Sequence, residues 1–152
     1  MRISAKVDYA LRALAELAVA EEGGYRKTEQ IAEAQDIPAK FLGNILQELR
    51  RAGLVESQRG AEGGHRLARP ATAITVADVI RIVDGPLGAV AGQAPEDTAY
   101  RGAAAHLRET WVATRASLRQ VLEQVTVAQI ASGDMPRAVD GLLDAPDAWS
   151  RR

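Results

Sequence analysis

A chain of 152 residues with 47% apolar but only 4% aromatic side chains holds enough for one domain, or one domain plus an arm, and its Ala/Val/Leu/Ile make-up favours helices. It has no cysteine, which excludes disulfides and thiolate-held metal clusters and makes a reducing cytoplasm the expected location. Short apolar stretches broken by charges exclude a transmembrane span, MRISAKVDYA carries no apolar signal core, and a net charge of -1 argues against a globally basic surface.

Residues 5–20, AKVDYALRALAELAVA, put Val7, Leu11, Leu14 and Leu17 at helical spacing. Ser4 suits the N-cap, and Gly23-Gly24 ends the segment. A second helix is expected from Thr28 over EQIAEAQ, with Ile31 and the flanking alanines inward. Asp36-Ile37-Pro38 then breaks the chain, and Pro38 fits the first position of a new helix, where its missing N–H costs nothing.

The third helix, 38–52, is the informative one. Phe41, Leu42, Ile45, Leu46 and Leu49 share one face, and Lys40, Gly43, Asn44, Gln47 and Arg51 share the other. An ordinary solvated face would carry more Glu and Lys. Asn and Gln pair with base edges, and Lys40 and Arg51 reach phosphates. Taken alone, the outer face reads equally as plain surface.

Gly53 is followed by two short extended runs, LVESQR and HRLAR, joined by GAEGG, which predicts a β-hairpin. Residues 50–69 hold Arg50, Arg51, Arg59, Arg66 and Arg69 against Glu56 and Glu62, a local balance of +3. A phosphate loop of the G-x-x-x-x-G-K-[ST] kind is excluded by spacing, and these glycines do not open a helix. Helix, Pro-marked break, helix, then a basic hairpin is the order of a winged helix-turn-helix. Arg59, Gly60 and Arg66 would lie against a phosphate backbone, with charge that salt screens.

A fourth helix, 75–84, opens with Thr75 and Asp78 at capping-box spacing and stops at Gly85-Pro86. Residues 85–99 read as a loop. From about 100 to 131 a long helix is expected, because Leu107, Trp111, Thr114, Leu118, Val121 and Val125 step by four and three as a heptad seam. At roughly 45 Å by helical rise, it is too long for a small domain to cover, and a second copy's matching helix would solve the burial. Gly133 ends the helix, and the tail 132–152 holds room for a short helix at Leu142 and Leu143, with Trp149 beyond.

The stretch 53–86, GLVESQRGAEGGHRLARPATAITVADVIRIVDGP, with its R-G-x-x-G-G-[YH]-x-L motif, resembles the wing and following helix of the Rrf2 family of bacterial transcriptional regulators, the IscR-, NsrR- and CymR-like proteins. The resemblance extends over about residues 1–131, through VDYALRALAELA, the helix pair at 28–52 and the Trp111 helix. It implies a mainly helical fold with a two-stranded β wing, a homodimer with a long dimerisation helix, and a palindromic operator. His65 stands where the family more often has an aromatic residue. Several members hold an iron–sulfur cluster on three cysteines of the loop before the long helix. Here that loop, GPLGAVAGQAPEDT, has none, so a member without a cluster is expected. Asp8 matches an acidic ligand position of some members, while the histidine position falls on Arg108 rather than His106. Asp8, Glu96 and His106 could chemically take a divalent ion, but no spacing supports it, and no metal or cofactor is assigned.

These readings divide the chain into a winged helix-turn-helix domain at 1–84, a loop at 85–99, a dimerisation helix at 100–131 and a tail. The expected DNA contacts are Thr28, Lys40, Asn44, Gln47, Arg51, Arg59, Gly60 and Arg66, with Arg50 adding to them if it faces outward. Leu107, Trp111, Leu118, Val121 and Val125 are expected at the dimer contact. The resulting function is a cytoplasmic, cluster-free transcriptional regulator that binds double-stranded DNA sequence-specifically, as a homodimeric repressor of a palindromic operator, with an effector, small molecule or protein, left open. The alternative is a winged-helix dimerising module that acts mainly by binding a partner protein. No nucleophile–base pair, paired carboxylates or cofactor loop points to an enzyme.

Overall fold

The computed structural model describes residues 2–20 and 24–151, so Gly23, expected to end the first helix, lies outside them. Seven α-helices and one two-stranded sheet run in the order α1 (Ala5–Ala18), α2 (Thr28–Gln35), α3 (Ala39–Arg51), β1 (Val55–Gln58), β2 (Gly64–Leu67), α4 (Val76–Val83), α5 (Leu107–Leu122), α6 (Val127–Ser132) and α7 (Arg137–Leu143).

Local chemistry sets the element ends. Ser4 caps α1 by accepting the Val7 N–H at 3.1 Å. Between α2 and α3 the chain turns through Asp36 in a left-handed conformation (φ 51°), which a short polar side chain tolerates, and the Ile37 N–H returns to the Ala32 carbonyl at 2.9 Å. Thr75 and Asp78 form the expected reciprocal cap of α4, at 3.0 and 3.1 Å.

Leu14, Ile31, Leu42, Ile45, Leu46, Leu49, Leu54 and Ile74 are essentially sealed from solvent and form the core. Helix α1 runs through its middle, packed on α2, α3, α4 and α6. Ala10 and Ala13, both fully buried, let neighbouring backbones come close. Phe41 corrects the expected inward face: it is 60% exposed, at the flank of the first turn of α3, while the other four apolar residues of that face are buried.

The expected continuous helix over 100–131 is two helices with a break. Residues 102–104 make only a single 3-10 turn before α5 begins at Leu107. After Leu122 the chain extends, the Val125 carbonyl accepts the Val76 N–H at 2.9 Å, and the Val127 N–H reaches the Ile74 carbonyl at 2.9 Å. Thr126 then caps α6 in a box with Gln129. Val125 is 8% exposed inside its own chain, so it leaves the proposed dimer row. Helix α5 therefore spans about 24 Å rather than 45 Å. The break brings 125–132 back onto the N-terminal unit, where α6 packs on α1, so the chain does not divide cleanly at residue 84.

A cavity of about 690 Å³ opens between α4, the following loop and α5, walled by Val7, Ile80, Leu87, Trp111 and Leu118. The Trp111 indole N–H donates to the Tyr100 hydroxyl at 3.1 Å at its edge. Trp149 is 79% exposed, yet its N–H donates to the Leu143 carbonyl and ends α7.

Candidate nucleic-acid interface

The outer face of α3 is as open as its residue types require. Lys40, Asn44, Gln47, Arg50 and Arg51 are exposed, and Gly43 between them leaves a gap in the row. None of these five makes an ion pair among the described residues. Glu48, one step round the helix, is held by Lys6 at 2.8 Å, which turns a carboxylate away from that face. Phe41 adds an exposed ring next to Lys40 that periodicity alone assigned to the core.

The expected hairpin forms, in antiparallel register: Val55 faces Leu67, Glu56 faces Arg66, Ser57 faces His65 and Gln58 faces Gly64. Two glycines are dictated by contact. A Cβ on Gly63 would lie 2.1 Å from the Gln58 carbonyl oxygen, and one on Gly64 (φ 144°) would lie 2.5 Å from that of Arg26. The second contact shows what the sequence hid. Residue 26 forms a single-residue antiparallel bridge, exchanging two backbone bonds with His65 at 2.8 and 2.7 Å and docking the wing on the segment that leads into α2.

The charged residues of the wing divide in two. Arg59, at its tip, is exposed and makes no ion pair among the described residues. Arg66 is engaged: Glu56 accepts its Nε–H, and its guanidinium lies 4.7 Å over the Tyr25 ring. It is thus less available to phosphate than Arg59.

His65 sits half-buried between wing and helix-turn-helix. Its Nδ1 is 2.7 Å from the Ser57 hydroxyl and its Nε2 is 3.0 Å from that of Thr28. Burial, and next the charge of Arg50, push its pKa below the usual histidine value, partly offset by Glu29. The unfolded chain then binds the proton more tightly than the folded one. Stability supplied by neutral His65 is complete above the ordinary histidine pKa and is lost as pH falls toward the lower folded value. Thermal melts are expected to show wild-type Tm dropping more than that of His65→Phe between about pH 7.5 and 5.5. Parallel slopes would show that the proton goes elsewhere.

The sequence model of the Rrf2 family, described as an iron-dependent transcriptional regulator, matches residues 3–133. The chain belongs to the Rrf2 family. The HTH-type regulator Rv1287 of Mycobacterium tuberculosis is 49% identical over 144 residues, covering 95% of this chain and 89% of the relative. The regulator CymR of Bacillus subtilis is 35% identical over 132 residues, 87% of this chain and 91% of CymR. Among solved structures, CymR, the global cysteine regulator of B. subtilis, superposes with a TM-score of 0.75 at 33% identity, over 88% of this chain and 98% of that one. IscR of T. potens gives 0.71 at 29%, over 91% and 90%. The chain is thus a winged-helix, DNA-binding transcription regulator and not an enzyme.

The description of the Rrf2 family as iron-dependent raises the question of donors. An iron–sulfur cluster needs soft thiolate ligands, and the sequence contains none. Of the remaining acidic candidates, Asp8 pairs with Arg12 at 3.0 Å and Glu96 with Arg115 at 2.5 Å, which holds the Glu96 carboxyl below its ordinary pKa. No three His, Asp or Glu side chains gather around a possible metal position among the described residues. The residues of this member do not fit the cluster.

Proposed function

We propose that this Rrf2 protein is a homodimeric repressor that reads a palindromic operator in the cytoplasm without a cluster. The observation that carries the reading is the exposed row Lys40, Asn44, Gln47 and Arg51 on α3, acid-free and set beside the Arg59 wing. Asn44 and Gln47 have the donor–acceptor pairs for base edges, and Lys40, Arg50 and Arg51 the charge for phosphates. Phe41 supplies the apolar surface that suits a thymine methyl group. Thr28, at the start of α2, is placed to donate its hydroxyl to the backbone. Gly60 (φ 104°) lets the wing tip lie close to the same strand, and Arg66 is a secondary contact because Glu56 competes for it.

The second copy is supported by α5, a helix of 16 residues in which none is buried. Leu107, Trp111, Leu118 and Val121 remain half-exposed along it, as a row that needs cover. A dimer seated over a promoter excludes other proteins from it, which makes repression the expected outcome. The apolar cavity beside Trp111 is where this reading places an effector.

Selection from random duplexes tests the whole reading, with an inverted repeat bearing thymine in each half-site as the expected consensus. Arg59→Ala then tests the wing. It is expected to weaken all duplexes alike and to lower the slope of log K against log salt by about one, as loss of one phosphate contact does. An unchanged slope removes the wing from the interface, and no enriched sequence removes the operator.

A further inference from the structure

We infer that His65 is a positioning residue for DNA binding: it bridges the wing to α2 and orients the Thr28 hydroxyl so that its proton points to the DNA backbone. The inference rests on the DNA-binding reading above and assigns a role that the wing motif does not specify.

The bridge has three parts. Backbone bonds at 2.8 and 2.7 Å fix His65 to Arg26, and Gly64 permits that approach. On one side the ring meets Ser57 of β1, and on the other Thr28 of α2. An apolar aromatic ring at this position would fill the space and leave both hydroxyls without this partner.

The donor–acceptor pattern determines what the bridge does. Neutral imidazole has one N–H and one lone pair. If Nε2 accepts from Thr28, the threonine proton is used up and only lone pairs face outward, which repel a phosphate. If Nδ1 accepts from Ser57 and Nε2–H donates to the Thr28 oxygen, the Thr28 proton is free to donate to a phosphate oxygen. The chain then runs Ser57 O–H to Nδ1, Nε2–H to Thr28 Oγ1, and Thr28 O–H to phosphate. A phosphate therefore selects the Nε2–H tautomer or the imidazolium, in which both nitrogens donate.

Charge acts in the same direction. The groups around the ring are Glu29 on α2 and Arg50 on α3, with the Glu56–Arg66 pair on the adjacent strands and Arg26 on the bridging segment. In the free protein, burial and next Arg50 lower the pKa of the ring and so favour its neutral form, partly offset by Glu29. An arriving phosphate screens Arg50 and favours the cation, so DNA binding takes up a proton and affinity rises as pH falls. The free fold has the opposite dependence, losing stability as pH falls.

The test uses the full chain and a mixed-sequence duplex, since a backbone contact does not need the operator. His65→Phe keeps a ring and removes both bonds. It is expected to bind about tenfold more weakly, the worth of one hydrogen bond to a charged group, and to lose the rise in affinity between about pH 7.5 and 5.5. Thr28→Val removes the hydroxyl while keeping the ring, its Ser57 contact and the wing's backbone bonds, and keeps the test open if His65→Phe does not fold. It is expected to show the same loss, and the double variant no further loss. Nitrogen chemical shifts of the ring are expected to move toward the Nε2–H or doubly protonated form when duplex is added. Unchanged affinity and pH slope in His65→Phe, fully additive losses, or a ring that is the Nδ1–H tautomer on DNA would overturn the role of His65 alone. A wild type that binds no duplex at any salt overturns the DNA-binding reading and this inference with it.

Discussion

Gly64→Ala is expected to detach the wing and to destabilise the chain by on the order of 3 kcal/mol, combining backbone strain with an unrelieved clash. The two causes are separable in the geometry. At φ 144° the backbone lies where side-chain-bearing residues rarely go. The new methyl would also lie 2.5 Å from the Arg26 carbonyl oxygen and 2.7 Å from its carbon. Both belong to the main-chain carbonyl whose oxygen accepts the His65 N–H, so relief means breaking the bridge between residue 26 and the wing. Gly43 is the internal control. It lies mid-helix with nothing within 4 Å of its would-be Cβ, so Gly43→Ala is expected to stabilise α3 by up to about 1 kcal/mol. Denaturant midpoints of the two variants should move in opposite directions. A Gly64→Ala midpoint equal to wild type would mean that the close approach of wing and residue 26 does not persist in solution. If the wing is detached, binding to every duplex also falls, because Arg59 loses its platform.

What the sequence made legible was local. Ser4, Thr75 with Asp78, and the 3.6-residue rhythm of α3 act over one or two turns, and each appears where the pattern placed it. The wing was legible for the same reason, since strands 55–58 and 64–67 are joined by a short turn. What stayed hidden was long-range. Phe41 follows the apolar rhythm of α3, but it stands at the flank of the face, on the first turn, where no other element covers it. The heptad seam continues through Val125 by spacing alone. Yet residues 125–127 gain more from pairing with 74–76 than from extending a helix into solvent, and Thr126 is already equipped to cap a new one. The His65 bridge joins positions 28, 57 and 65, and no periodicity links the first to the others. Residue type predicted exposure on the polar face of α3, but on the wing it did not reveal that Glu56 and Tyr25 both engage Arg66.

Leu118→Glu is expected to convert the proposed dimer to monomers and to cost operator affinity about two to four orders of magnitude, since two tethered readers gain effective concentration that single ones lack. Leu118 lies mid-way along α5, half-exposed, beside Trp111 and the cavity. In the proposed dimer a carboxylate there would meet its own symmetry mate across a two-fold contact, and the cation one turn before it on the same helix, Arg115, is committed to Glu96. Binding to mixed-sequence duplex should fall much less, because each wing and each α3 would keep its proposed phosphate contacts. Val125→Glu distinguishes dissociation from unfolding. Val125 is buried inside its own chain against α4, so a charge there should lower Tm steeply, whereas Leu118→Glu should leave the melt of the N-terminal unit close to wild type. Analytical ultracentrifugation beside operator titration gives the decisive reading. If Leu118→Glu sediments and binds like wild type, the α5 row packs within one chain and the two half-site readers are joined by another surface.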